Sequence, residues 1–122
     1  MFIFEKIPFM KKGIFITIPI ILFIVFNSNA QIIYSEDSKY NADIQVFVTD
    51  SKYNADLIVF KTDNKYNADG NKGIWFFTDS KYNADKIIYF EDNKYNADLI
   101  IYFTDSKYNA GWENKSKQHL LY

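Results

Sequence analysis

The chain has no cysteine, no arginine and a single histidine, His119, among its 122 residues. Without cysteine it has no disulfide framework to brace it in an oxidising compartment, and no thiol to carry a lipid at a mature N-terminus. Without arginine, and with its lysines alternating closely with aspartates, it has no basic stripe to follow nucleic-acid phosphates. Nucleic acid is therefore not an expected partner. The serines recur without a glycine-flanked elbow, and one histidine beside Leu120 and Leu121 reads as helping to seat a C-terminal strand. No nucleophile and base are paired by these patterns, so an enzyme is not expected and no catalytic residue or cofactor is assigned. Glycine is also scarce: of four, three are Gly70, Gly73 and Gly111, which fall at two places only.

What is present begins with an export signal. Lys11 and Lys12 precede an uncharged apolar stretch over residues 13–26, and Ser28, Asn29 and Ala30 offer small residues where a signal peptidase reads. The stretch is shorter than the roughly 20 residues a membrane-spanning helix needs, which favours a cleaved signal over residues 1–30 and no stable membrane insertion afterwards. Met10 opens a more typical signal than Met1 does. Gln31 then starts the mature segment, a single domain over 31–122 with eleven lysines against fourteen carboxylates, a formal charge of −3. The expected location is secreted or periplasmic.

That segment is built from six copies of one phrase, DSKYNAD or DNKYNAD, with tyrosines at Tyr40, Tyr53, Tyr66, Tyr82, Tyr95 and Tyr108. The first three tyrosines and the last three are related by a constant offset of 42, because three extra residues lie around Gly70 to Gly73. The domain is thus two pseudo-symmetric halves. At the matching place in the second half, Gly111 replaces the expected aspartate and an irregular polar segment follows.

Between the phrases the residue six before each tyrosine is always aromatic, namely Tyr34, Phe47, Phe60, Phe76, Tyr89 and Tyr102. The residue seven before is always apolar: Ile33, Val46, Val59, Trp75, Ile88 and Ile101. Adjacent strand positions face opposite ways, so both faces of every strand are apolar at the centre, as in strands covered on two sides. The pattern predicts an all-β domain of about seven short strands, the last at Leu120 to Tyr122, joined by six capped turns or single helical turns. Asp37, Asp50, Asp63, Asp79, Asp92 and Asp105 are the expected caps, and the closing aspartate of a phrase, Asp43 in the first, is placed to tie down the next strand. A seven-residue link is short for an ordinary parallel crossover, so successive strands are expected to pair antiparallel or to leave for another sheet. Runs such as LIIYF have the composition of aggregation-prone strands, with aspartate, lysine and asparagine as flanking gatekeepers.

The phrases, the junction GNKGIWFFTDSKYNAD and the ending AGWENKSKQHLLY together resemble the septoil knot domains, whose repeats read DSxYxAD followed by an apolar strand. The resemblance implies a compact β-rich monomer with its backbone tied in a seven-crossing torus knot. It brings no activity, cofactor or catalytic residue. Two roles then compete for the phrase. Tyrosine, asparagine and aspartate side by side form a palette for stacking on sugars and binding their hydroxyls, which nominates the six tyrosines and Trp112 as a glycan- or surface-binding set. The same residues also read as what each turn needs to close and pack, and this structural reading is preferred because the whole phrase, alanine included, is preserved. The aspartate spacing lacks the alternating ligands and central glycine of an EF-hand, so no metal site is assigned. The expected role is an exported structural repeat protein of high kinetic stability, with a carbohydrate- or surface-binding module as the alternative.

Overall fold

The computed structural model describes residues 31–122; the proposed signal lies outside them. Seven strands are present: β1 (Ile32–Ser35), β2 (Ile44–Val48), β3 (Leu57–Lys61), β4 (Ile74–Phe77), β5 (Lys86–Phe90), β6 (Leu99–Phe103) and β7 (Gly111–Trp112). A 3₁₀ turn over the Lys-Tyr-Asn of each phrase joins them, and a 3₁₀ helix, Lys115–Leu121, ends the chain. The all-β reading with single helical turns holds. The seventh strand does not lie at Leu120 to Tyr122: it is the short Gly111–Trp112, and the leucines belong to the final helix.

The strands hydrogen-bond in the order β4, β1, β5, β2, β6, β3, β7, and a further β3–β4 pairing closes the first six into a barrel. Every ladder joins a strand of the first half to one of the second. Those six strands run parallel, and only β7 is antiparallel to its partner. The expectation of antiparallel or departing neighbours is thus overturned, and the register gives the reason. Ser35, at the end of β1, and Ile44, at the start of β2, both stand opposite Ile88 of β5. A strand begins at the level where its predecessor ended, so the link has no return journey to make. It needs only to cross one intervening strand, about 10 Å at ordinary strand spacing, well within the reach of eight residues.

The same stagger divides each strand's partners. The first half of β2 pairs with β5 and its second half with β6, both ladders sharing Val46. Likewise β5 pairs with β1 through Lys86–Ile88 and with β2 from Ile88 onward.

Alternation then sorts the side chains. Ile33, Val46, Val59, Trp75, Ile88 and Ile101, one from each barrel strand, are all fully buried and fill the interior. Ile44, Leu57 and Leu99 extend this core toward the strand starts, where Leu121 of the final helix joins it. With no disulfide available, these burials, roughly 1.5–3 kcal/mol for each large aliphatic side chain, are the main favourable term. At the strand ends the inward positions carry Phe77, Phe90 and Phe103; the Phe77 and Phe90 rings stack with centroids 6.4 Å apart, and the Lys61 ammonium lies 5.5 Å from the centres of Phe77 and Phe103. The outward aromatics, from Tyr34 through Tyr102, are half-buried. Both central faces are thus covered, as the sequence pattern implies.

The extra residues of the 70–73 junction have a steric explanation. Gly70 and Gly73 have φ of +74° and +83°. A Cβ on Gly73 would stand 2.4 Å from the Ile58 carbonyl oxygen and 3.1 Å from the Gly111 nitrogen. At this point β4 and β7 share the edge of β3, β7 taking Leu57 and Ile58 and β4 taking Phe60 and Lys61. Gly73→Ala combines left-handed backbone with a main-chain collision, and a loss of about 3 kcal/mol or more is expected in denaturant unfolding. Gly70→Ala, whose Cβ meets only the Lys72 side chain, is expected to cost about 1 kcal/mol.

Candidate functional site

Each phrase divides into residues that the barrel uses and residues that it does not. The turn is held by main-chain bonds, Asn41 N–H to Ser38 O at 3.1 Å and Ala42 N–H to Lys39 O at 3.3 Å in the first copy, repeated in the other five. Side-chain capping comes from the residue before or after the expected aspartate. Thr49, Thr62, Thr78 and Thr104 hydroxyls accept from the main chain two residues on, and Asn64 and Asn93 accept from Tyr66 N and Tyr95 N. Asp37, Asp50, Asp63, Asp79, Asp92 and Asp105 are all exposed, and among the described residues no hydrogen bond to their side chains is found. They do not cap the turns: in five copies the threonine before the first aspartate or the asparagine after it bonds the entry to the turn, and the first copy has neither.

The closing aspartate is the residue that binds. Asp43 N–H donates to Ile87 O at 2.7 Å while Ile87 N–H donates to Asp43 Oδ2 at 2.9 Å. Asp56 holds Ile100, Asp85 holds Ile32 and Asp98 holds Gln45 in the same two-point manner. The cause is the stagger. A strand that starts partway along its neighbour leaves the main-chain N–H and C=O of one residue of that neighbour unpaired on the facing edge, and the aspartate supplies both partners. Asp69, followed by the glycine junction, makes no such clamp among the described residues, and Gly111 has no side chain with which to make one. Asp56 has a further role, since its carboxylate also accepts from Lys117 Nζ at 3.2 Å and Asn114 Nδ2 at 3.3 Å, and its carbonyl accepts from Glu113 and Asn114 N–H. It anchors the C-terminal helix.

The alanine is likewise structural: Ala55 and Ala68 are buried and the other four half-buried. The Lys-Tyr-Asn triplet is not. Tyr40, Tyr53, Tyr66, Tyr82, Tyr95 and Tyr108 are between 81% and 98% exposed. The reading in which these rings pack to close the turn is corrected accordingly. Lysines 39, 65, 94 and 107 lie 5.5–6.0 Å from the centre of the adjacent tyrosine ring, a weak exposed cation–π contact. Lys81 instead pairs with Glu36 at 3.0 Å. This bond holds the Glu36 carboxyl below and the Lys81 ammonium above their ordinary values, so the pair's contribution is present at neutral pH and fades as acid protonates Glu36. Beside Tyr66 a shallow depression of about 270 Å³ is lined by Ile32, Lys65, Ala68 and Asp69.

The two junctions meet. The half-buried Trp112 packs on the core, and its Nε1 donates to both the carbonyl and the Oδ1 of Asn71 at 3.1 Å, while Asn71 Nδ2 donates to Gln118 O. Trp112 is therefore a lid residue joining the halves, set apart from the tyrosines. His119 is exposed, with Nδ1 at 3.0 Å from Ser116 O within its own helix. Among the described residues no three His, Asp or Glu side chains converge as metal ligands.

In comparison against known families, residues 30–113 match the 7(1) septoil knot domain. The chain belongs to that family. No curated protein and no solved structure matches it. In this septoil knot domain the exposed triplets are the repeated feature that the barrel's own bonding leaves unexplained.

The clamps make a graded prediction for denaturant unfolding. Asp37→Ala is expected to change stability by less than about 0.5 kcal/mol, Asp43→Ala to cost about 1 kcal/mol and Asp56→Ala about 3 kcal/mol. Equal effects at Asp37 and Asp43 would contradict the division of roles.

Proposed function

We propose that this septoil knot domain is an exported, non-enzymatic scaffold that persists outside the cytoplasm and binds glycan-bearing surfaces through its Lys-Tyr-Asn turns. The single observation that carries the binding reading is the exposure of all six tyrosine rings on turns whose closure does not use them. A tyrosine offers an apolar face for a sugar ring and a hydroxyl for its polar edge, and the neighbouring asparagine supplies both donors and acceptors. Each ring is isolated among Lys, Asn and Asp. Protein–protein interfaces instead favour contiguous apolar cores, so separate rings of this kind suit a hydroxyl-rich polymer better. Single contacts would be weak, and six copies would act through avidity.

Persistence rests on the path of the chain. In the order of the sheet each connection steps over one strand, except that β3 leads to β4, with which it pairs directly, so the chain goes almost twice around and the second circuit falls into the gaps left by the first. That path fits the seven-crossing torus knot implied by the family resemblance. Interlocked circuits raise the barrier to unfolding more than the equilibrium stability, and the non-local pairing slows folding as well.

Two measurements test the proposal. The mature protein should be retained by at least one of mannan, dextran and peptidoglycan, and replacing all six tyrosines with alanine should abolish retention with an unchanged unfolding midpoint. Retention by none of the three, or equal retention of the variant, sinks the binding reading. Separately, unfolding in concentrated guanidinium should take hours or longer where small domains commonly take far less; complete unfolding within seconds removes the case for persistence.

A further inference from the structure

We infer that the protein cross-links glycan strands as a monomer, because its six tyrosines face outward around the entire circumference of the barrel. The inference rests on the glycan-binding reading above and concerns what its geometry makes of it.

Each phrase lies outside one barrel strand, and the strand can be named. The turn Lys39–Asn41 lies against β5, Lys65–Asn67 against β4, Lys94–Asn96 against β2 and Lys107–Asn109 against β3. The clamps place the other two: Asp56, closing the Lys52–Asn54 phrase, holds β6, and Asp85, closing the Lys81–Asn83 phrase, holds β1. Ordered around the barrel, the rings run Tyr66, Tyr82, Tyr40, Tyr95, Tyr53, Tyr108, and then return to Tyr66. No barrel strand is without one. Tyr82, Tyr40 and Tyr95 are neighbours on one side, over β1, β5 and β2, and Tyr53, Tyr108 and Tyr66 occupy the opposite side, over β6, β3 and β4.

A rigid polysaccharide lying along one side cannot touch the other, because the filled core stands between them. Lectins that recruit several contacts to one strand need their rings in a row on one face. Here the contacts diverge, so a second strand or a second particle meets a full set of rings that the first leaves free. Bridging then follows without any oligomer, and the avidity of three rings operates on each side. The two-place step adds a consequence: successive copies in sequence are never adjacent around the barrel among the first three turns or among the last three, so each half of the chain distributes its tyrosines around the whole circumference.

This separates valency from geometry. Two triple variants lose the same number of tyrosines. In the first, Tyr40→Ala, Tyr82→Ala and Tyr95→Ala strip one side. In the second, Tyr40→Ala, Tyr53→Ala and Tyr66→Ala remove the first sequence half and leave rings on all sides. Latex beads coated with mannan, with dextran or with solubilised peptidoglycan are mixed with each protein, bound protein is measured by depletion, and bead clustering by turbidity. The expected result is clustering by the wild type and by the spread variant, with the one-sided variant binding single beads yet failing to cluster them. A wild type that binds beads without clustering them overturns the inference, as does similar clustering by the two triple variants. A wild type that binds none of the three coatings overturns the glycan reading itself.

Discussion

The register stagger is the constraint on which the rest of this structure depends. Ser35 and Ile44 share a level on β5, and the same relation lets each short link move sideways without doubling back. Parallel sheets ordinarily pay for their topology with long crossovers, usually helical, that cover both faces. Here the stagger removes the return path, so eight residues suffice, and the links themselves cover the outer face. The half-buried outward aromatics and the small alanines are two sides of that contact.

Stagger also creates a problem that the phrase solves. A strand paired with one neighbour over its first half and another over its second has a peptide group on each edge where pairing has not yet begun. Buried or half-buried peptide groups without partners are costly, and an eight-residue link has little main chain to spare. An aspartate one residue before the strand supplies a carboxylate acceptor and a main-chain donor to the N–H and C=O of the same residue. The arrangement fails only where the strand after the phrase does not start at once, after Asp69, and where the chain stops its circuit, at Gly111. At those two points glycine and the Asn71–Trp112 contact take over.

Much of this was legible in the chain. The doubly apolar strands and the split into halves by the offset of 42 follow from residue pattern alone. Strand direction did not, because the argument from link length assumes strands at one level, and no sequence pattern states a register. The seventh strand was misplaced because Leu120, Leu121 and Tyr122 repeat a strand's apolar order, whereas Lys115 to Gln118 hold them in a helix that buries Leu121 as a plug. The caps were misassigned for a related reason: the phrase contains two aspartates, and only the stagger reveals that the second faces an unpaired peptide while the first faces water.

The same distinction bears on the tyrosines. Repetition within a chain shows that a phrase is copied whole, which makes every residue in it look equally necessary to the turn. The structure ranks them. Alanine is fixed by burial, the closing aspartate by its two bonds, and Asn64, Asn93 and the threonines by bonds at the entry to the turn; the Lys-Tyr-Asn side chains meet none of these demands. Exposed tyrosine also carries a cost, since it adds apolar surface to a chain already rich in aromatics. Isoleucine, leucine and valine exchange freely at strand positions that the barrel does use, and serine exchanges with asparagine inside the phrase, yet the tyrosine is the same in all six copies. An unvaried residue that the fold does not need is the ground on which the proposed glycan contacts rest, and its placement over every barrel strand is why those contacts would diverge.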